Sequence, residues 1–187
     1  MKKKLLLHSC CGPCSTSVIN ALKDDYKLTI FYYNPNIYPQ KEYLKRLEEQ
    51  KKYIKLSNQN IKVIDGDYTD HTLFESEFTG LEGCPEGGER CKKCIYLRLK
   101  KTAEFAKQNG FQIFASTLSV SPHKNANLIN ELGLKLQQDF NVEYLVSDFK
   151  KKDGYLNSIK LSKEFGLYRQ KYCGCKYSIY DPSIVEE

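Results

Sequence analysis

Apolar positions along this chain follow two alternating rhythms: short continuous runs, and longer stretches spaced for one face of a helix. "KLLLHS" (4–9), "KLTIFYY" (27–33), "IKVID" (61–65), "FQIFAST" (111–117) and "VEYLVSD" (142–148) are the short runs, rich in β-branched and aromatic residues, and predict five strands. Between them, "STSVINALKDD" (15–25) places Val18, Ala21 and Leu22 at helical spacing. A charged stretch from Gln40 to Leu56 sets Leu44, Leu47 and Ile54 on one stripe. "HTLFESEF" (71–78) predicts a short helix, and "CKKCIYLRLKKTAEFAKQNG" (91–110) a long one closed by Asn109-Gly110. "NANLINELGLKLQQDF" (125–140) predicts a helix interrupted at Gly133, and "YLNSIKLSKEFG" (155–166) a last one.

Strand and helix therefore alternate. This order predicts an α/β fold: a mostly parallel, Rossmann-like sheet of about five strands with helices on both faces. With 187 residues and no repeat or composition break, the chain is expected to form one α/β domain, 1–187. In such sheets ligands collect beyond the C-terminal ends of the strands, where loops enter helices.

Composition is that of a soluble globular protein, 41% hydrophobic and 28% charged. "MKKKLLLHSC" resembles a signal peptide only briefly, because its apolar run is confined to Leu5–Leu7. No stretch is long and apolar enough to span a bilayer, and the cytoplasm is the expected compartment. The net charge is +6, and it is concentrated. From Lys150 to Lys176, eight Lys or Arg residues face only Asp153 and Glu164, so this segment carries an excess equal to that of the whole chain. Tyr155, Phe165, Tyr168, Tyr172 and Tyr177 are interleaved with the charges. A basic, aromatic C-terminal segment (about 150–178) suits a polyanion with exposed bases; it also suits a solvated helix face with core aromatics.

Eight cysteines in a reducing compartment point to metal or redox chemistry rather than to structural disulfides. They fall into three groups: Cys10, Cys11 and Cys14; Cys84, Cys91 and Cys94; Cys173 and Cys175. Cys-Gly-Pro-Cys (11–14), at a strand-to-helix junction, has the form of a thioredoxin-like pair, but that reading leaves six cysteines without a role. Cys91-Lys-Lys-Cys94 has the spacing that brings two thiolates to one centre, and a second pair would complete four ligands for zinc or an iron–sulfur cluster. Adjacent Cys10 and Cys11 favour the cluster, since neighbouring side chains diverge and suit separate corners of a cube better than one small ion. Cys173-Gly-Cys175 would close a strained disulfide ring, which suits a redox-active pair; alternatively these two are further metal ligands. Cys14 and Cys84 receive no role from spacing.

The histidines carry less. His8, in the first strand, is expected to be a satisfied buried residue, and His123 in "SVSPHKN" lies on the presumed active edge as a lone group. No G-x-G-x-x-G or Walker pattern is present.

Five ordered motifs, "HSCCGPCS", "YNPNIYPQKEYLKR", Cys91-x-x-Cys94, "TLSVSPHKN" and "YCGCKYS", resemble the cobalamin-free epoxyqueuosine reductases of the QueH type. The resemblance extends from the first strand to Ser178. It implies a fold related to the adenine-nucleotide α-hydrolase, or PP-loop, superfamily, with the cysteine loop at 10–14 in place of the nucleotide loop, so that no ATP is expected. It implies two-electron removal of the epoxide oxygen from epoxyqueuosine at the tRNA wobble position, giving queuosine. Cys10, Cys11, Cys91 and Cys94 would ligate a [4Fe-4S] cluster, and Cys173 and Cys175 would form a redox-active disulfide. An additional mononuclear iron is compatible with the spare thiols, and an electron donor is required as a partner. Two other readings compete: a cluster-containing tRNA sulfur transferase of the PP-loop type, and a non-enzymatic zinc-stabilised RNA-binding module.

Overall fold

In the computed structural model, which describes residues 2–180 and residue 183, five parallel strands form one sheet in the order β3-β2-β1-β4-β5. The strands are β1 (Lys4–His8), β2 (Lys27–Tyr32), β3 (Lys62–Asp65), β4 (Ile113–Ser116) and β5 (Glu143–Tyr144). Helices α1 (Gly12–Leu22), α2 (Gln40–Leu56), α3 (His71–Ser76), α4 (Glu89–Gln108), α5 (Ala126–Phe140) and α6 (Gly154–Glu164) connect and cover them.

Central β1 is buried on both faces, which explains its unbroken apolar run. Leu5 and Leu7 join Val18, Ile19, Tyr53 and Ile54 of α1 and α2 in one core. Leu6 points the other way, into a second core with Leu99 and Ala103 of α4 and Ile129 and Leu136 of α5. Strand order reverses between β1 and β4, which leave the sheet side by side with Leu6 opposite Phe114 and His8 opposite Ser116. That reversal point, at the carboxyl ends of the strands, is where doubly wound sheets bind ligands.

Four sequence expectations change. The buried face of α2 is Tyr43, Arg46, Leu47, Gln50, Tyr53 and Ile54, whereas Leu44 is half-exposed. In α1, Ile19 packs inward and Ala21 faces out. Helix α5 runs unbroken through Gly133, because that glycine serves packing: a Cβ there would lie 2.4 Å from the Tyr144 ring. Asn125 opens α5 by accepting hydrogen bonds from the Asn127 and Leu128 amides. Finally, β5 is only two residues long. Beyond Leu145, whose amide still donates to Phe114, the Asn130 side chain takes over both backbone groups of Ser147 and ends the ladder.

Among the described residues no helix is long and apolar enough to cross a membrane.

Candidate active site

The loop after β1 sets the first cysteine group at the reversal point. Cys11 caps α1 with extended backbone (φ −174°, ψ 161°), and Pro13 follows within the first turn, where its missing N–H costs nothing. Gly12 is required for a close approach, since a Cβ there would meet the α2 backbone at Glu49, 2.8 Å away. The sulfurs of Cys10 and Cys11 are 3.9 Å apart, and with Cys14 the three lie within 4.8 Å of one another. The adjacent side chains therefore converge rather than diverge, because the chain turns from strand to helix between them. Adjacency alone does not separate zinc from a cluster here.

Electrostatics within this trio are uneven. Hydrogen bonds with Cys11 and Cys14 hold the Cys10 thiol well below its usual range, with the Thr117 hydroxyl (3.5 Å) adding to them. Cys11 is pushed up to about 12 by its bond with Cys10. Cys14 is raised well above the usual range by Cys10 and then Cys11. The trio therefore favours deprotonation at Cys10 over its two neighbours, and further thiolates form there only by losing protons to a cation. Gln170 reaches over from the C-terminal segment and donates to Cys11 Sγ at 3.2 Å.

His8 lies beneath, fully buried and satisfied as the sequence predicts. Its Nε2–H donates to the Tyr33 carbonyl (3.1 Å), which leaves Nδ1 to accept from the Ser116 hydroxyl (2.9 Å). Burial, reinforced by Arg98, lowers its pKa to about 4.

A small cavity beside this loop is lined by Cys91, Cys94, Cys173 and Cys175, together with Asn36, Arg98 and Lys124. Cys91 and Cys94 come from the first turn and a half of α4, and the Gly87 amide donates to Cys91 Sγ at 3.3 Å. Burial raises the Cys94 thiol to about 11.

The other pair arrives with the C-terminal segment, which is fastened across the sheet edge. Arg46, only 2% exposed, binds Glu42 at 2.6 Å and donates to the carbonyls of Tyr172 (3.3 Å) and Cys173 (3.2 Å). The Tyr38 amide donates to the Gly174 carbonyl at 2.8 Å. Gly174 has φ +125°, and a Cβ there would press on Arg46 and Ile37 at 3.0–3.1 Å, so Cys-Gly-Cys admits no other middle residue without strain. All eight cysteines are free thiols in this structure, Cys173 and Cys175 included.

Two cations face these sulfurs, Arg98 buried and Lys124 half-buried. Lys124 Nζ donates to Cys173 Sγ at 3.4 Å. Arg98, 3% exposed, donates only to neutral acceptors, the Cys94 carbonyl and Asn34 Oδ1, each at 3.4 Å. Among the described residues no carboxylate pairs with either cation. Cations taken out of water normally have anionic partners, and the groups that most favour the charged form of these two are thiols, Cys94 and Cys173 foremost. Sequence reasoning singled out His123, which is exposed, and missed its neighbour Lys124 and also Arg98. For Arg98 the available signal was its place on α4 in register with Cys91 and Cys94, at i+7 and i+4.

The aromatic residues of the C-terminal segment mostly serve the interior. Phe165 packs edge-on against Tyr53, Tyr172 is buried under Arg46, and Tyr177 lies beneath Arg90. Cys84, half-buried, lies outside the cavity lining.

A thiol-lined cavity with two cations on its wall, at the reversal point of a Rossmann-like sheet and beside three cysteines able to hold a metal ion, is the arrangement of an α/β enzyme. A crystal structure described as the predicted subunit of tRNA methyltransferase from Methanocaldococcus jannaschii shares the fold, with a TM-score of 0.53 at 17% identity over 88% of this chain and 75% of that one. The family model "Epoxyqueuosine reductase QueH" matches residues 5–181. Relatives bearing that description are 41% identical in Staphylococcus epidermidis (98% of this chain, 79% of the relative) and 42% in Haemophilus influenzae (98% and 75%). A third, from Thermotoga maritima, is 34% identical (95% and 91%). The chain belongs to the QueH epoxyqueuosine reductases, a family of oxidoreductases.

Proposed function

We propose that this protein reduces epoxyqueuosine at the wobble position of tRNA to queuosine, in the cytoplasm, with the whole chain acting as one α/β unit. The observation that carries this reading is the pair of cations, buried Arg98 and half-buried Lys124, set against thiols in a single cavity.

Reduction of an epoxide to an alkene breaks two carbon–oxygen bonds, forms one carbon–carbon double bond and releases water, so it consumes two electrons and two protons. Oxidation of a dithiol to a disulfide supplies two of each. We assign that role to Cys173 and Cys175, which an external thiol or dithiol reductant must then restore. Lys124, on the cavity wall and in hydrogen-bond contact with Cys173, is placed to deliver a proton to the epoxide oxygen. Arg98 holds negative charge in the cavity, and Arg46 fixes the Cys-Gly-Cys loop over it.

We assign a sulfur-ligated metal centre to Cys10 and Cys11, which already lie together with Cys14, and to Cys91 and Cys94 of the cavity wall; no carboxylate is among the residues lining the cavity. A [4Fe-4S] cluster held by these four would supply one-electron steps; with a thiolate on every iron it leaves no open corner, so Lewis-acid help to the epoxide oxygen would fall to a separate iron. Cys14, which spacing left without a task, sits within the trio and offers a place for one further iron. ATP takes no part in this reading, since Gly12 is taken up in packing α1 against α2 and the loop presents sulfurs where a phosphate would lie.

The test is anaerobic purification with iron and sulfide counting, followed by incubation with epoxyqueuosine-containing tRNA and a reductant and nucleoside mass spectrometry. We expect queuosine, iron in excess of sulfide, and loss of that excess in Cys14→Ser. Stoichiometric zinc without sulfide, or no queuosine from iron-loaded protein, would refute the assignment.

A further inference from the structure

If the substrate base enters the cavity, its unpaired neighbours in the anticodon loop need a surface of their own. In the C-terminal segment Phe165, Tyr172 and Tyr177 are committed to internal contacts, and the exposed Tyr180 is bonded to Glu86. An exposed ring whose backbone is bonded directly to the Cys-Gly-Cys loop lies on a different segment, Tyr38 in the turn between β2 and α2.

Tyr38 ends a column of five stacked or edge-packed rings. The column starts in the core at Tyr32, which is fully buried, and passes to Tyr43 (centroids 5.2 Å apart) and Tyr68 (4.7 Å). From there it continues to His71 (4.9 Å, nearly parallel) and Tyr38 (6.4 Å, 20° between planes). Each inner ring is also pinned by a polar contact. Tyr43 binds Asp65, Tyr68 donates to the Ile37 carbonyl at 2.8 Å, and His71 Nδ1 donates to the Pro35 carbonyl. The His71 ring lies roughly parallel to that of Tyr38, and 44% of Tyr38 remains exposed. The end of the column is therefore a rigid aromatic surface that needs no ordering before it is used.

Its position ties it to the active site. Tyr38 is bonded twice to the cysteine loop: its amide donates to Gly174, and its carbonyl accepts from the Tyr172 hydroxyl. Asn36, two residues earlier, lines the cavity, and two residues of chain span at most about 7 Å. Lys41 and Lys45 lie exposed on the following helix, where a phosphate backbone would find cations.

We propose that Tyr38 is the stacking platform for an unpaired base adjacent to the modified nucleotide, a binding subsite for single-stranded RNA at the rim of the cavity. This rests on the reading of the protein as a tRNA-directed reductase. Stacking on aromatic rings is how proteins commonly hold splayed bases in RNA loops.

The experiment measures binding of a short RNA hairpin carrying the anticodon loop, and of the same hairpin with an abasic ribose at each position flanking the wobble nucleotide. Tyr38→Ala should weaken binding of the intact hairpin by roughly five- to hundred-fold, the usual range for one stacked base. Tyr38→Phe and Tyr38→Trp should retain it. On the hairpin abasic at the contacted position, wild type and Tyr38→Ala should bind alike. An equal loss on every hairpin, or no loss on the intact one, overturns the platform. Turnover of epoxyqueuosine-containing tRNA by wild-type protein is measured in parallel. Turnover with an unchanged KM in Tyr38→Ala removes the platform alone, whereas absence of turnover in wild type removes the reading beneath it.

Discussion

Replacing Arg46 with Met keeps most of the side-chain volume and removes the charge that clamps the cysteine loop. Three kinds of contact are lost: the 2.6 Å pair with Glu42, the bonds to the Tyr172 and Cys173 carbonyls, and the guanidinium over the Tyr172 ring at 5.0 Å. The greatest cost comes from the partner left behind. Glu42 is 8% exposed and would keep only the Tyr168 hydroxyl, at 3.2–3.3 Å. Breaking a buried pair in this way costs about 3–5 kcal/mol. A change of this size should lower Tm by roughly 6–20 °C in a protein of this length. Urea unfolding followed by circular dichroism should show a lower midpoint with an unchanged slope. Adding Glu42→Gln should recover about half of the loss or more, because the neutral amide no longer needs a cation. Native-state alkylation with mass-spectrometric readout should also label Cys173 and Cys175 faster in Arg46→Met, since two of the loop's carbonyls have lost their donor. A loss below about 1 kcal/mol, or no recovery in the double variant, would refute the view that the orphaned carboxylate dominates. Unchanged alkylation would refute the clamp.

Gly133→Ala should cost about 1–3 kcal/mol in urea unfolding, as its Cβ would overlap a Tyr144 ring that is 4% exposed and enclosed by core residues. Lys124→Met should slow epoxide reduction by roughly a hundred-fold or more while leaving RNA binding intact, if its ammonium is the proton source. His8 titrates at about 4 when folded against an ordinary 6.5, so between those values the unfolded chain binds more protons and stability falls as pH falls. The slope in metal-free protein should approach about 1.4 kcal/mol per pH unit in that window, and His8→Gln should flatten it.

The fold was largely legible because each strand on this sheet announces itself. Parallel strands buried on both faces read as unbroken apolar runs, and Leu5, Leu6 and Leu7 serve two cores at once. Errors arose where a residue's role depends on something distant in sequence. Gly133 looks like a helix breaker until Tyr144 occupies the space beside it. Leu44 looks like part of the α2 stripe, but Arg46 takes an inward place because Glu42 and the C-terminal carbonyls satisfy its charge. The short β5 follows from Asn130 intercepting the backbone of Ser147, a long-range side-chain bond that no local pattern encodes.

The site shows the same division. Its cysteines were visible as clusters, and their arrival at one reversal point follows from the strand order. Their chemistry was not visible, because it depends on groups that sequence presents as ordinary surface charge. A lysine in "SPHKN" and an arginine within a charged helix give no signal of burial, and lone histidines draw attention that this site does not reward. The two cavity cations also bear on why the site is built from thiols. Carboxylates in these positions would pair with Arg98 and Lys124 in every state and close the cavity around fixed ion pairs. Thiols can be neutral, anionic, metal-bound or oxidised, so the same two cations gain and lose partners as electrons move. On this argument Arg98→Met should be tolerated better in a protein whose cavity cysteines are kept protonated than in one carrying the metal centre. Comparing the destabilisation it causes in metal-free and metal-loaded protein would check this, and an equal loss in both would show that Arg98 serves packing alone.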